Sequence, residues 1–364
     1  LKRARRTLWR LFDSFAPLKK RKLPAMPNQP PHPPSPQLIF ETFNAFQRTA
    51  ALKAAIELKL FTAIAAGHDT PAALAKASGA AERGVRILAD YLTVLGLLEK
   101  ADGRYRLSAD AAMFLDERSP ACLGAAVEFL CSPEHQARFA ELTSAVRAGG
   151  APRNDQSVLA PDHDAWVKFA RGMAGLMAMP ADLLAQRILQ GSTAPLKVLD
   201  IAAGHGLFGI AFARHDPQAT ITAVDWANVL SVAQENAERA GVADRYRKLP
   251  GSAFDVDFGG GYDLVLLTNF LHHFDAATNE SLMRKVHAAL RPGGRAVALE
   301  FVPDESRVAP PTSASFALVM LATTPAGDAY TFREYEAGFK AAGFARCECF
   351  HLEPTMQQVV VAER

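Results

Sequence analysis

Between residues 196 and 209 the chain reads Leu-Lys-Val-Leu-Asp-Ile-Ala-Ala-Gly-His-Gly-Leu-Phe-Gly. Few folds accept such a stretch. Leu196, Val198, Leu199 and Ile201 form a short apolar run with β-branched members, which predicts a central parallel strand ending in the carboxylate of Asp200. Gly204 and Gly206 then predict a tight turn that brings backbone close to a ligand. The helix that follows directs its unpaired N–H groups at the same place.

Two ligand classes use a loop of this kind, and a plain structural turn is the third reading. Gly204, Gly206 and Gly209 carry the G-x-G-x-x-G spacing of dinucleotide sites. Asp200 argues against an anionic pyrophosphate and for a cationic ligand. S-adenosylmethionine, with an ammonium and a sulfonium, has that character. A second acid, Asp225, closes the apolar run Ile221–Asp225. A carboxylate there can take both hydroxyls of a ribose, a role common to both ligand classes.

The chain has 364 residues, 49% hydrophobic and 21% charged, which suits about two soluble globular domains. No apolar run reaches the roughly 18 residues of a membrane-spanning helix. The four cysteines, Cys122, Cys131, Cys347 and Cys349, form no C-x-x-C pair. This predicts neither a disulfide framework nor a metal site, and fits a cytoplasmic setting. Residues 1–25 hold nine Lys/Arg and one acid, so the remainder is net −6 although the whole chain is +2. A mildly acidic body excludes general nucleic-acid affinity.

Residues 1–36 read as a basic and proline-rich extension without a fold. Leu8, Trp9, Leu11, Phe12 and Phe15 permit a short amphipathic helix suited to a membrane surface. The first methionine is Met26, and residues 1–25 are read as an upstream extension instead. Residues 37–180 read as a helical domain. A long apolar face starts at Leu38, Thr70-Pro71 caps a second helix, Ala81–Leu98 is a third, and Leu98–Leu107 is a hairpin turning at Asp102-Gly103. Three helices and a hairpin predict a winged helix. Its third helix is too apolar to read a DNA groove, with Val85, Ile87, Leu88, Leu92 and Leu95 set against few cations. Its surface suits packing or a homodimer. Residues 119–192 are helical again, with Pro161 and Pro180 as punctuation. Met173 and Met177 are placed there as candidate substrate contacts.

Residues 181–364 read as a doubly wound α/β domain. Strands are expected at Arg247 onward, Tyr262–Asn269 and Arg295–Phe301. Cys347–Leu352 and Gln357–Ala362 have no helix between them, so they should pair antiparallel at the sheet edge.

With these residues in view, the chain resembles the S-adenosylmethionine-dependent O-methyltransferases of the caffeate/acetylserotonin type. The likeness covers about residues 37–364. It is carried by VLDIAAGHG (198–206), AVDW (223–226), GSAF (251–254), DLVLLTNFLHHFD (263–275), LRPGGRAVALEF (290–301) and EPTMQQVVVA (353–362). The resemblance implies a mixed seven-stranded Rossmann-like domain behind a winged-helix dimerisation domain. It implies that Asp200, Gly204 and Gly206 hold the methionyl part of the cofactor and that Asp225, followed by Trp226, binds the ribose. It places Ser252, Ala253 and Phe254 near the adenine, His272 on the catalytic histidine and Glu300 on a glutamate that orients it. Ser252 stands where the plant enzymes have Asp, and Thr268 where they have Lys. A second orienting glutamate would fall at Ala329, beside Asp328.

The chemistry agrees. A phenol with pKa near 10 stays protonated at neutral pH, and a histidine can take its proton as a methyl group moves. His272 and His273 lie just beyond a central strand, with His272 as base and His273 as fallback or substrate contact. Asn269 can touch cofactor or substrate. A carbon acceptor such as a tetrapyrrole, a metabolite-sensing regulator built on the winged helix, and an NAD-linked oxidoreductase are the competing readings.

Overall fold

A computed structural model describes residues 34–152, 164–190 and 195–364. The basic segment 1–25, most of the proline-rich stretch and Pro161 lie outside the described residues. The chain divides into two units, 1–50 and 51–364. In the first, helix α1 (Gln37–Phe43) precedes the start of α2 (Ala45–Glu57). Leu38, Ile39, Phe40, Phe43 and Phe46 are all exposed there.

In the second unit the expected long first helix is interrupted. Lys59 takes a left-handed φ of 53°, and α3 (Leu60–Ala65) starts anew. Helix α4 (Pro71–Ser78) has the expected Thr70 cap, with Thr70 Oγ1 accepting from the Ala73 N–H, and it ends at left-handed Gly79. Helix α5 (Glu82–Val94) is shorter than expected, because Gly96 at φ 77° turns the chain before Leu98. Leu98 instead opens β1 (Leu98–Ala101), which pairs antiparallel with β2 (Arg104–Leu107) around Asp102-Gly103. Phe61, Leu74, Leu92, Leu98 and Tyr105 fill the core of this winged arrangement.

Short helices follow: α6 (Ala109–Phe114), α7 (Val127–Leu130), α8 (Pro133–Ala140) and α9 (Leu142–Ala148). Then α10 runs unbroken over Asp164–Leu189. Pro180, expected as punctuation, sits inside that helix. It forfeits one intrahelical hydrogen bond, and burial of Ala181, Leu184, Ala185 and Ile188 against the sheet domain carries the helix through.

The sheet domain is built from β3 (Lys197–Ile201), α11 (Leu207–His215), β4 (Thr220–Asp225), α12 (Ala227–Ala240), β5 (Tyr246–Pro250), β6 (Tyr262–Thr268), α13 (Ala276–Ala289), β7 (Leu290–Glu300), α14 (Pro311–Thr323), α15 (Phe332–Ala341), β8 (Arg346–His351) and β9 (Gln358–Glu363). The strand order is β5-β4-β3-β6-β7-β9-β8. The first five strands in that order run parallel, while β9 is antiparallel to both β7 and β8. This is the seven-stranded mixed sheet the resemblance implies. Strand β7 starts earlier than expected and absorbs Arg291–Gly294 through a register shift opposite Tyr262–Leu264. Two apolar cores lie on its two faces, one led by Phe208, Phe212 and Leu230, the other by Val265, Leu282 and Phe339. The order reverses between β3 and β6, which sets a crevice at their carboxyl ends.

Candidate active site

Five strands, at or just beyond their ends, bring residues to that crevice. At the end of β3, Asp200 is 1% exposed, and its Oδ2 accepts the Gly209 N–H at 2.9 Å. Its Oδ1 is buried without a partner. Burial is the main force that lifts its carboxyl to about 7, with the nearby charge of Asp225 adding to it and the Gly209 bond opposing it. The loop beyond is left-handed at Ala202, Gly204 and Gly206. At Gly206 a Cβ would stand 2.6 Å from Tyr246 Oη and 2.8 Å from Ala233 Cβ, so no larger residue fits. At Gly209 it would meet Ile221 Cγ2 at 2.7 Å and Asp200 Oδ2 at 2.9 Å. Packing beneath the loop thus accounts for Gly206 and Gly209, and the left-handed φ of 57° for Gly204.

His205 packs inside this loop. It is 5% exposed, its Nδ1 accepts the Leu207 N–H, and burial lowers its pKa to about 4. Asn236 Nδ2 donates to its carbonyl. At the end of β4, Asp225 ties the same loop down: Oδ2 accepts the Gly204 N–H at 2.8 Å and Oδ1 the Trp226 N–H at 2.7 Å. Burial raises Asp225 to about 6. The Trp226 side chain turns to α10 and α12, where it packs with Trp166, Val167, Ala170, Val229 and Val232.

After β5, Ser252 Oγ accepts the Phe254 N–H, and Ala253 is buried while Phe254 is 37% exposed. Lys285 reaches over from α13 and donates to the carbonyls of Ala253 and Phe254, both at 3.0 Å. Phe254, Phe270 and Phe274 form an edge-to-face cluster beside this loop.

The densest polar arrangement joins β6 and β7. Glu300 is fully buried at the end of β7. Its Oε1 accepts the N–H groups of Phe270 and Leu271, each at 2.9 Å, and its Oε2 lies 2.5 Å from His272 Nδ1. A carboxylate accepts, so Nδ1 carries the ring proton and Nε2 is left as a proton acceptor. Phe316 from α14 packs perpendicular to the His272 ring, 4.8 Å between centroids at 82°. Phe301 stacks on Phe316.

His273 lies 4.2 Å from His272, ring to ring, and its Nδ1 bonds the Phe270 carbonyl. Burial, with the neighbouring imidazole second, lowers it to about 3 and keeps it neutral. Trp166 stands at its edge, 6.1 Å away. The segment after α14 closes over this turn. The Asp328 N–H donates to the His272 carbonyl at 3.0 Å, and a Cβ at Gly327 would meet that oxygen at 2.3 Å. Ala329 is buried and carries no carboxylate, while Asp328 pairs with Arg307.

Of the residues singled out in the sequence, Asp200, Gly204, Gly206 and Asp225 meet in one loop system, and His272, His273 and Glu300 meet in another. Asn269 joins them: left-handed at φ 54°, it donates from Nδ2 to Met177 Sδ at 3.6 Å. Met177 is thereby at the site. Met173 packs into the adjoining core. Sequence reasoning missed Gln357, whose Nε2 donates to Asn269 Oδ1, and Phe316, Lys285 and Tyr246. Their roles depend on which distant element packs against the site, and no local motif marks that.

Comparison with known proteins identifies the family. Residues 144–345 match the family model of the O-methyltransferase domain, and residues 40–117 that of the O-methyltransferase dimerisation domain. A 3-hydroxy-5-methyl-1-naphthoate 3-O-methyltransferase from Streptomyces sahachiroi is 31% identical over 85% of this chain and 89% of its own. A solved structure from Nostoc punctiforme, provisionally described as an O-methyltransferase, is 52% identical with a TM-score of 0.87, covering 92% of this chain and 100% of the other. The structure of PigF with S-adenosylhomocysteine is 25% identical with a TM-score of 0.79, covering 91% and 100%.

Proposed function

The chain belongs to the O-methyltransferase family, and on that premise we propose that it moves a methyl group from S-adenosylmethionine to a hydroxyl of a small aromatic or polyketide-like molecule. The His272–Glu300 pair is the observation that carries this reading. The relatives support the acceptor class, since the Streptomyces sahachiroi enzyme is named for a hydroxynaphthoate.

The residues fit the cofactor. Asp200 Oδ1 is a buried acceptor without a partner, suited to an ammonium, and the left-handed loop at Gly204 and Gly206 permits close approach of a ligand to backbone. Asp200 with the loop would hold the methionyl end, and Asp225 the ribose. Ser252, Ala253 and Phe254 would border the adenine, and Trp226 and Asn269 are the remaining candidate cofactor contacts. When bound, the cofactor supplies a methyl group already activated on a sulfonium.

What remains for the chain is to place the acceptor and remove its proton. Glu300 fixes the His272 ring and its tautomer through Nδ1. Nε2 takes the proton from the acceptor hydroxyl as the new bond to carbon forms. His273 stays neutral and shapes the pocket with Phe316, Met173 and Met177. A base aimed at a hydroxyl favours an oxygen acceptor over a carbon one.

The dimerisation-domain match and the exposed apolar residues of α1 support a homodimer. We place the helical part through residue 180 in dimer formation and residues 181–364 in catalysis. Four unpaired cysteines support a cytoplasmic setting.

The test is a thermal-shift titration with S-adenosylhomocysteine beside NAD(H), followed by phenolic acceptors with labelled S-adenosylmethionine. S-adenosylhomocysteine should raise the melting temperature and NAD(H) should not. A shift with NAD(H) alone would reverse the cofactor assignment.

A further inference from the structure

Two polar groups beneath the glycine loop lack a protein partner. Asp200 Oδ1 and Tyr246 Oη are both buried, and their residues are 1% and 5% exposed. They come from different strands, β3 and the start of β5. Both lie against the same loop: a Cβ on Gly206 would touch Tyr246 Oη at 2.6 Å, and one on Gly209 would touch Asp200 Oδ2 at 2.9 Å. They are also close enough for the charges of Asp200 and Asp225 to act on the phenol, whose pKa burial already raises. Their hydrogen-bonding characters are complementary, because a phenol donates and a carboxylate oxygen only accepts. A phenylalanine would fill the same apolar space beside Ala233 without leaving a buried hydroxyl unpaired.

We propose that Tyr246 is a positioning residue of the cofactor site: its hydroxyl serves Asp200 Oδ1 through one buried water, and so sets the carboxylate that receives the methionyl ammonium. This rests on the cofactor reading above. Tyr246 never touches the reacting atoms. It keeps Asp200 oriented beneath the loop, and the loop in turn keeps its left-handed path over the phenol.

The test compares two ligands that share adenosine and sulfur but differ in the amino-acid end. S-adenosylhomocysteine has the ammonium, and 5′-methylthioadenosine lacks it. In Tyr246→Phe, calorimetry should show S-adenosylhomocysteine binding roughly tenfold more weakly, the effect of one lost hydrogen bond. 5′-Methylthioadenosine should change by less than about twofold, and ligand-free melting should hold or rise. The loss should not add to that of Asp200→Asn in the double variant. Unchanged affinity for both ligands, or an equal loss for both, overturns the proposal, since either outcome makes Tyr246 a packing residue. Failure of the unaltered protein to bind S-adenosylhomocysteine at all would instead overturn the cofactor reading.

Discussion

At the scale of single residues, the site depends on one carboxylate with three donors. Glu300 Oε1 fixes the backbone of the 270–271 turn, and Oε2 fixes the imidazole that the turn carries. Substitutions here should therefore separate chemistry from binding. His272→Ala removes the proposed base and leaves the Glu300 bonds to Phe270 and Leu271 in place. We expect kcat to fall about 10²–10⁴-fold with the S-adenosylhomocysteine dissociation constant unchanged. Stopped assays beside calorimetry would check this, and retained kcat would remove His272 from the reaction. Asp200, Asp225, His272 and Glu300 were legible in the sequence because each stands at or just beyond the end of an apolar run, where an open α/β sheet exposes its functional groups. Phe316 and Gln357 were not legible. The first sits on a helix and the second in the turn between β8 and β9, and only the three-dimensional packing brings them to the crevice.

The glycine loop is the element whose sequence and geometry agree most closely. Its positive φ values explain Gly204 and Gly206, and steric contact from below explains Gly206 and Gly209. Gly206→Ala meets two obstacles at once, a φ of 75° and a Cβ overlapping both Tyr246 Oη and Ala233 Cβ. It should lower the melting temperature by several degrees and abolish the stabilisation given by S-adenosylhomocysteine. A variant that melts and binds like the parent would show that the loop tolerates a side chain. Helix α10 shows the opposite case. Pro180 suggested a break in sequence, yet the helix continues because its apolar face is buried against the sheet domain. Local propensity yielded there to burial. In α5 the balance runs the other way: the apolar run continues to Leu98, but the helix stops at Val94 and Gly96 turns the chain.

For the molecule as a whole, the burial of Asp200 carries a cost in stability. Asp200 titrates near 7 in the folded protein against an ordinary 3.8, so the folded chain retains a proton that the unfolded chain has released. The group therefore favours folding below about pH 4, and that contribution is lost as pH rises through about 7. Asp200→Asn removes the titration. We expect the melting temperature of that variant minus that of the parent to grow from pH 5 to pH 8, measured without ligand by scanning calorimetry. A difference that stays flat would mean Asp200 is no more easily protonated in the fold than in the open chain. Among the described residues no helix is long and apolar enough to cross a membrane.

The place of β9 bears on how such a chain acquires its shape. Strand β7, which ends in Glu300, borders β6 on one side and β9 on the other, and β9 arrives only after two helices and β8 have been made. Until then β7 is a bare sheet margin with a row of unmatched amides, at the stage when a nascent protein is most prone to stick to its neighbours. The pairing is distant in sequence, and distant pairings close slowly. The strand that ends in Glu300 thus keeps one margin unpaired until the last strand of the sheet is made, and production of this enzyme will depend on whatever shields that margin before β9 reaches it.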